Sequence, residues 1–162
     1  MLLATDKVGR TVFYVAARSD KIGIFQEILK CAKENLTREE VNKLLLATDN
    51  KGRTVFHEAV GSYGKEIFQE ILNYAKENLT REEVNKLLFA SDNKGRTVFR
   101  VAAGSYKIKI FQGILNHAKE NLRRDEVNKL LLASDNEGRT VFHEAAMSDE
   151  KDLFQEILNY AK

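Results

Sequence analysis

Asp49-Asn-Lys-Gly-Arg-Thr-Val-Phe56 decides the reading of this chain, because its Gly-Arg-Thr-Val-Phe core recurs with the glycine at Gly9, Gly52, Gly95 and Gly138, 43 residues apart each time. Self-similarity at a period of about 20 to 50 residues marks a unit that cannot bury its own apolar face and must stack on its neighbours. The copies run at approximately 6–48, 49–91, 92–134 and 135–162, the last truncated. There is no proline, and most of the nine glycines fall in the repeated turns and loops, so no linker divides the chain. The expectation is an all-α solenoid of about four stacked helical repeats, a single repeat domain over residues 1–162.

Working outward from the turn, Asp49-Asn-Lys-Gly52 is a cluster of turn formers in which glycine takes a positive φ cheaply. Thr54 then reads as an N-cap. Val55, Phe56, Ala59 and Val60 follow at the spacing of a short helix with one buried side. After the loop Gly61-Ser-Tyr-Gly64, a second helix reads from Lys65 to about Glu77, with Ile67, Phe68, Ile71, Leu72 and Ala75 on one face. Thr80-Arg-Glu-Glu83 fits a capping box and opens a third helix carrying Val84, Leu87 and Leu88. In the third copy Arg123 replaces the capping threonine, which weakens that start by roughly 1 kcal/mol. Ala16, Ala59, Ala102 and Ala145 sit midway along the first helices, where a small side chain lets successive copies approach closely.

The stretch Asp49-Asn-Lys-Gly-Arg-Thr-Val-Phe-His-Glu-Ala, matched by Asp135-Asn-Glu-Gly-Arg-Thr-Val-Phe-His-Glu-Ala-Ala, resembles the ankyrin repeat, over about two thirds of each copy. That family opens each unit with an aspartate turn, a glycine and a Thr-Pro-Leu-His-like segment. Two features depart from it. Ankyrin units are about 33 residues long, and here a third helix takes the place of the short return loop. Valine also replaces proline at Val12, Val55, Val98 and Val141. Three helices in 43 residues are also similar to armadillo repeats, although the Asp-x-x-Gly-x-Thr turn favours the ankyrin-like reading. The resemblance implies a protein-binding scaffold, and places the histidine that ties one turn to the next at His57 and His143, with Tyr14 and Arg100 in the equivalent places elsewhere.

Copies two and three differ at eleven of 43 positions, and six of these lie between His57 and Glu66, so variation is localised. Down the copies the variable places read Tyr14, His57, Arg100, His143; then Val15, Glu58, Val101, Glu144; then Arg18, Gly61, Gly104, Met147. The following loop adds Tyr63, Tyr106 and Lys107. These positions read as the outward side of the first helix, opposite Val12, Phe13 and Ala16. Drift at exposed sites would produce such a pattern. Drift ought also to touch the charges of the second and third helices, which hardly change. The strip therefore reads as a docking edge for a protein partner, with Tyr14, Arg18, Tyr63, Arg100, Tyr106 and Lys107 as anchors, since Tyr and Arg are enriched at binding hot spots.

Lys plus Arg at 26 against Asp plus Glu at 24 is too balanced for a dedicated nucleic-acid surface. No run approaches the roughly 18 to 20 apolar residues of a membrane span. One cysteine, Cys31, allows no internal disulfide and fits a reducing, cytoplasmic setting. It aligns with Tyr74, His117 and Tyr160, which suggests packing at a boundary. His57, His117 and His143 lie in different copies without metal-ligand spacing, and no phosphate-binding loop or calcium loop is present, so neither an enzyme nor a cofactor is expected. Ser19, Ser62, Ser105 and Ser148 occupy one loop position and read as caps. The chain opens at Met1-Leu-Leu-Ala, the tail of a third helix, and stops after a second helix bearing Phe154, Ile157, Leu158 and Tyr160. Apolar ends of that kind predict homo-oligomers formed through them, the alternative role being a structural or engineered repeat module.

Overall fold

The computed structural model describes residues 1–19, 21–61, 65–105 and 107–161, which form eleven helices and no extended strand. Residues Tyr63 and Tyr106 of the expected strip, and Ser62 of the serine series, lie outside the described residues. Two compact units are present, Met1–Leu87 and Leu88–Lys162. The first contains α1 (Val12–Arg18), α2 (Ile22–Asn35), α3 (Arg38–Leu46), α4 (Val55–Gly61), α5 (Lys65–Asn78) and most of α6 (Arg81–Phe89). The second contains α7 (Val98–Gly104), α8 (Ile108–Asn121), α9 (Arg124–Leu132), α10 (Val141–Met147) and α11 (Lys151–Ala161). Among the described residues no helix is long and apolar enough to cross a membrane.

The helix boundaries follow local chemistry. Gly9, Gly52, Gly95 and Gly138 all take a positive φ, between 72° and 79°, at the turn before each short helix. The turn closes on its aspartate: in the second copy, Asp49 Oδ1 accepts from the backbone N–H groups of Lys51 and Arg53, while Asp49 Oδ2 pairs with the Arg53 guanidinium at 2.7 Å. Thr11, Thr54 and Thr97 then cap their helices by accepting from the N–H three residues on. Full capping boxes open α3 (Thr37 with Glu40) and α6 (Thr80 with Glu83). At α9 only half survives, because Arg123 N–H still donates to Glu126 but a guanidinium has no acceptor to return the bond. The helix starts at the equivalent residue all the same. Ser19, Ser105 and Ser148 finish their helices by donating to backbone carbonyls of the last turn.

Packing inside each unit is helix on helix. Each of the first three copies is pinned by a phenylalanine pair joining its first and second helices, Phe13–Phe25, Phe56–Phe68 and Phe99–Phe111, with centroids 5.0 to 5.5 Å apart. All six rings are buried, and burying each contributes about 1.5–3 kcal/mol. In the first unit α1 packs on α4 and α2 on α5; in the second α7 packs on α10. Ala16, Ala59, Ala102 and Ala145 are buried in these helices, as close approach requires.

The turns inside each unit are also bonded to one another. Asn50 N–H donates to Val8 O at 2.9 Å and its side-chain amide to Lys7 O at 3.4 Å. Asn136 N–H likewise donates to Lys94 O at 2.9 Å and its amide to Asn93 O at 2.9 Å. The glycines make room for this: a Cβ on Gly9 would lie 2.8 Å from Asn50 Oδ1, and one on Gly95 would lie 2.6 Å from Asn136 Oδ1.

Candidate interaction surface

The first helix of every copy is only seven residues long, and in the first copy it is buried on more sides than one. Phe13, Tyr14, Ala16 and Ala17 are all buried, leaving Val12, Val15 and Arg18 on its exposed stripe. This corrects the outward placement expected for Tyr14, His57 and Arg100, which are 2%, 2% and 3% exposed. It also corrects Val12, which is exposed although Val55, Val98 and Val141 are buried.

The buried variable residues join one copy to the next. Tyr14 O–H donates to Glu58 Oε2 at 2.8 Å, 44 residues along. Glu58 is held in turn by the Arg53 guanidinium at 3.3 Å, and Arg53 lies over the Tyr14 ring. Burial, and then the Glu58 carboxylate, push the Tyr14 phenol far above its ordinary range. In the second unit Arg100 fills the same position and does the same work with charge. Its guanidinium donates to Asp135 Oδ2 at 2.7 Å and to Arg139 O at 3.1 Å, and also pairs with Glu144. Burial alone would raise the Asp135 carboxyl, but the Arg139 backbone N–H and the Arg100 guanidinium outweigh it and hold the group well below the usual carboxylate range.

Histidine at this position braces the start of its own helix. His57 Nδ1 accepts the Thr54 backbone N–H at 3.2 Å and lies 2.9 Å from Thr54 Oγ1, which leaves the ring proton on Nε2. His143 holds Thr140 in the same way but is exposed. Variation in the strip thus follows an alternation: a donor, Tyr14 or Arg100, in the odd copies meets a glutamate, Glu58 or Glu144, in the even ones. The sequence carried this signal in Val15, Glu58, Val101 and Glu144, which alternate in step with the donors.

Each unit keeps a residue of the expected strip at its surface. On the first, Val15 is 42% exposed and Arg18 is exposed, the latter reaching Glu58 only at 3.8 Å. On the second, Met147 is 59% exposed and His143 is exposed, while Val101 and Lys107 are half-buried. Of the expected self-association residues, Ile157 is fully buried in its own unit, which removes it from any outer contact. Tyr160 is half-buried beneath the Lys119 ammonium, 4.8 Å from its centroid, and Phe154 and Leu158 are half-buried. Cys31, expected at a packing boundary, is exposed. Among the described residues no group of three or more histidine, cysteine, aspartate or glutamate side chains could hold a metal ion. In comparisons with known proteins, no protein-family model and no curated protein matches the chain.

Proposed function

We propose that the chain is an ankyrin-like α-solenoid of four stacked repeats, the first three complete with three helices each, and that it serves as a scaffold binding another protein along its first helices and the loops after them. One observation carries the reading: the first helices expose Val15, Arg18 and Met147, a mixed apolar and cationic set of which, among the described residues, Arg18 alone reaches a charged partner, Glu58 at 3.8 Å. Binding rather than catalysis fits this region, because Tyr14 with Glu58 and Arg100 with Asp135 are engaged in joining copies, and Asp49 with Arg53 in closing a turn. The docking residues are accordingly Val15, Arg18, His143, Met147 and the half-buried Val101 and Lys107, without Tyr14, His57 and Arg100.

A pull-down with the parent chain and with a Val15→Ser/Arg18→Ala/Met147→Ser variant tests the docking edge. A partner retained by the parent and lost by the variant supports it; equal retention overturns it. The stacked-repeat reading has its own test. Inserting a duplicate of residues 49–134 after residue 134 yields a folded chain of unchanged helix content per residue if copies are interchangeable modules, whereas loss of folding refutes it.

A further inference from the structure

The bonds between copies inside the two units follow one scheme written in different side chains. In the first unit Tyr14 donates to Glu58, Gln26 Nε2 donates to Glu70 Oε1 at 3.0 Å, and the Lys33 ammonium lies over the Tyr74 ring, 5.3 Å from its centroid. Asn42 Nδ2 adds a bond to Glu83 Oε1 at 2.9 Å, and the Tyr74 hydroxyl donates to Asn42 Oδ1 at 3.2 Å. In the second unit Arg100 pairs with Asp135 and Glu144, Gln112 Nε2 donates to Glu156 Oε2 at 2.7 Å, and the Lys119 ammonium lies over the Tyr160 ring. Gly104 makes room for the charged seam, since a Cβ there would lie 2.9 Å from Glu144 Oε2. Each seam thus clips a first helix to a first helix and a second helix to a second, with both partners of every bond in one unit.

The sequence does not carry these two clips on into the third copy. The carboxylates that accept from Tyr14 and Gln26 are Glu58 and Glu70; their equivalents are Glu144 and Glu156 in the fourth copy but Val101 and Gly113 in the third. Gln69, the equivalent of Gln26, donates instead to Asn73 of its own helix at 3.0 Å. The step from second copy to third falls close to Leu87 and Leu88, where one compact unit ends and the next begins. In a repeat array cooperativity is carried by the free energy of neighbouring interfaces, so copies that share a strong seam open together. We infer that the chain is built of two folding blocks, copies one and two and copies three and four, each opening as a whole at its own free energy, so that one can open while the other stays folded. The inference rests on the bonds inside each unit and stands whether or not the docking edge holds a partner.

Native-state hydrogen exchange of the full chain, followed amide by amide where closing outpaces exchange, tests it, because the slowest amides of a block exchange only when that block opens. Arg100→Met should speed exchange at the slowest buried amides of residues 88–162, such as Leu115, Leu130 and Ile157, by about 100-fold, and leave Leu44, Phe68 and Ile71 within about twofold of the parent. Tyr14→Phe should do the reverse, speeding residues 1–87 by about five- to tenfold. If Arg100→Met unfolds the second block outright, the first should keep its protection, and that result also supports the inference. Acceleration spread equally over both blocks would show one cooperative structure, and acceleration confined to the copy that carries the substitution would show single copies opening alone. Either outcome, or unchanged exchange at the slowest amides of the substituted block, overturns the inference.

Discussion

Removing the buried guanidinium of Arg100 puts the junction inside the second unit to its most direct test. The Arg100 side chain is 4% exposed and pairs with Asp135, itself 2% exposed, at 2.7 Å, while also holding Glu144 and Arg139 O. Methionine is the informative replacement, because it keeps an apolar stem in the same space and removes the charge. Breaking a buried pair from one side costs about 3–5 kcal/mol. The low end applies here: Asp135 retains the backbone N–H groups of Glu137 and Arg139 and the Arg139 guanidinium at 3.1 Å, and the Glu144 side chain, 15% exposed, can recruit water. The expected loss for Arg100→Met is therefore about 3 kcal/mol, which at a urea slope of about 2 kcal/mol/M lowers the unfolding midpoint by about 1.5 M. Arg18→Ala is the control, since its exposed head sits 3.8 Å from Glu58 and such pairs contribute about 0–1 kcal/mol. The double variant Arg100→Met/Glu144→Met should regain about 1 kcal/mol, because the Glu144 carboxylate is then no longer left unpaired and Asp135 keeps the bonds of its own turn. If Arg100→Met lowers the midpoint no more than Arg18→Ala does, the residue is not the junction described here.

Three further outcomes follow from other contacts. Gly95→Ala and Gly138→Ala both place a side chain at φ +75°, but only the first meets a neighbour, Asn136 Oδ1 at 2.6 Å and its backbone N at 3.0 Å; both should lose about 1–2 kcal/mol to backbone strain, with a larger loss at Gly95, and equal urea midpoints would argue against stacked turns. Tyr14→Phe should cost about 1–1.5 kcal/mol through the lost Glu58 bond; because the folded phenol titrates above its unfolded value, the parent should also lose stability as pH rises past about 10, and the variant less so. Asp49, Asp92 and Asp135 all titrate below their unfolded value when folded, so their contribution is complete above about pH 4 and declines as pH falls through the lower folded values. Urea midpoints measured from neutral pH downward should stay level to that point and then drop, with a smaller drop for Asp49→Asn.

Most of the helical architecture was legible because each boundary is marked by a residue with one local job. Thr80 and Glu83 announce α6, and Lys65 and Asn78 bound α5 within a residue of the reading. The candidate site was less legible. Helical periodicity assumes one buried stripe, and a seven-residue helix packed against its own second helix and against the next copy has little outward surface left. Tyr14 and Arg100 looked like binding residues because the side chains that suit an interface between proteins also suit an interface between copies. At Arg123 the remaining half of the capping box, Glu126 accepting from the Arg123 N–H, is enough to start α9 in register.

The alternation of donor and glutamate has a consequence for how such a chain can grow or shrink. If copy two alone were lost, Tyr14 would face Val101 and its hydroxyl would lose its acceptor; if copies two and three were lost together, it would face Glu144 and keep one. Recombination therefore conserves the seams when it moves doublets, and a single-copy slip leaves a polar group stranded. The unit of inheritance is then twice the length of the unit of shape, and lineages of this chain should gain or lose copies two at a time.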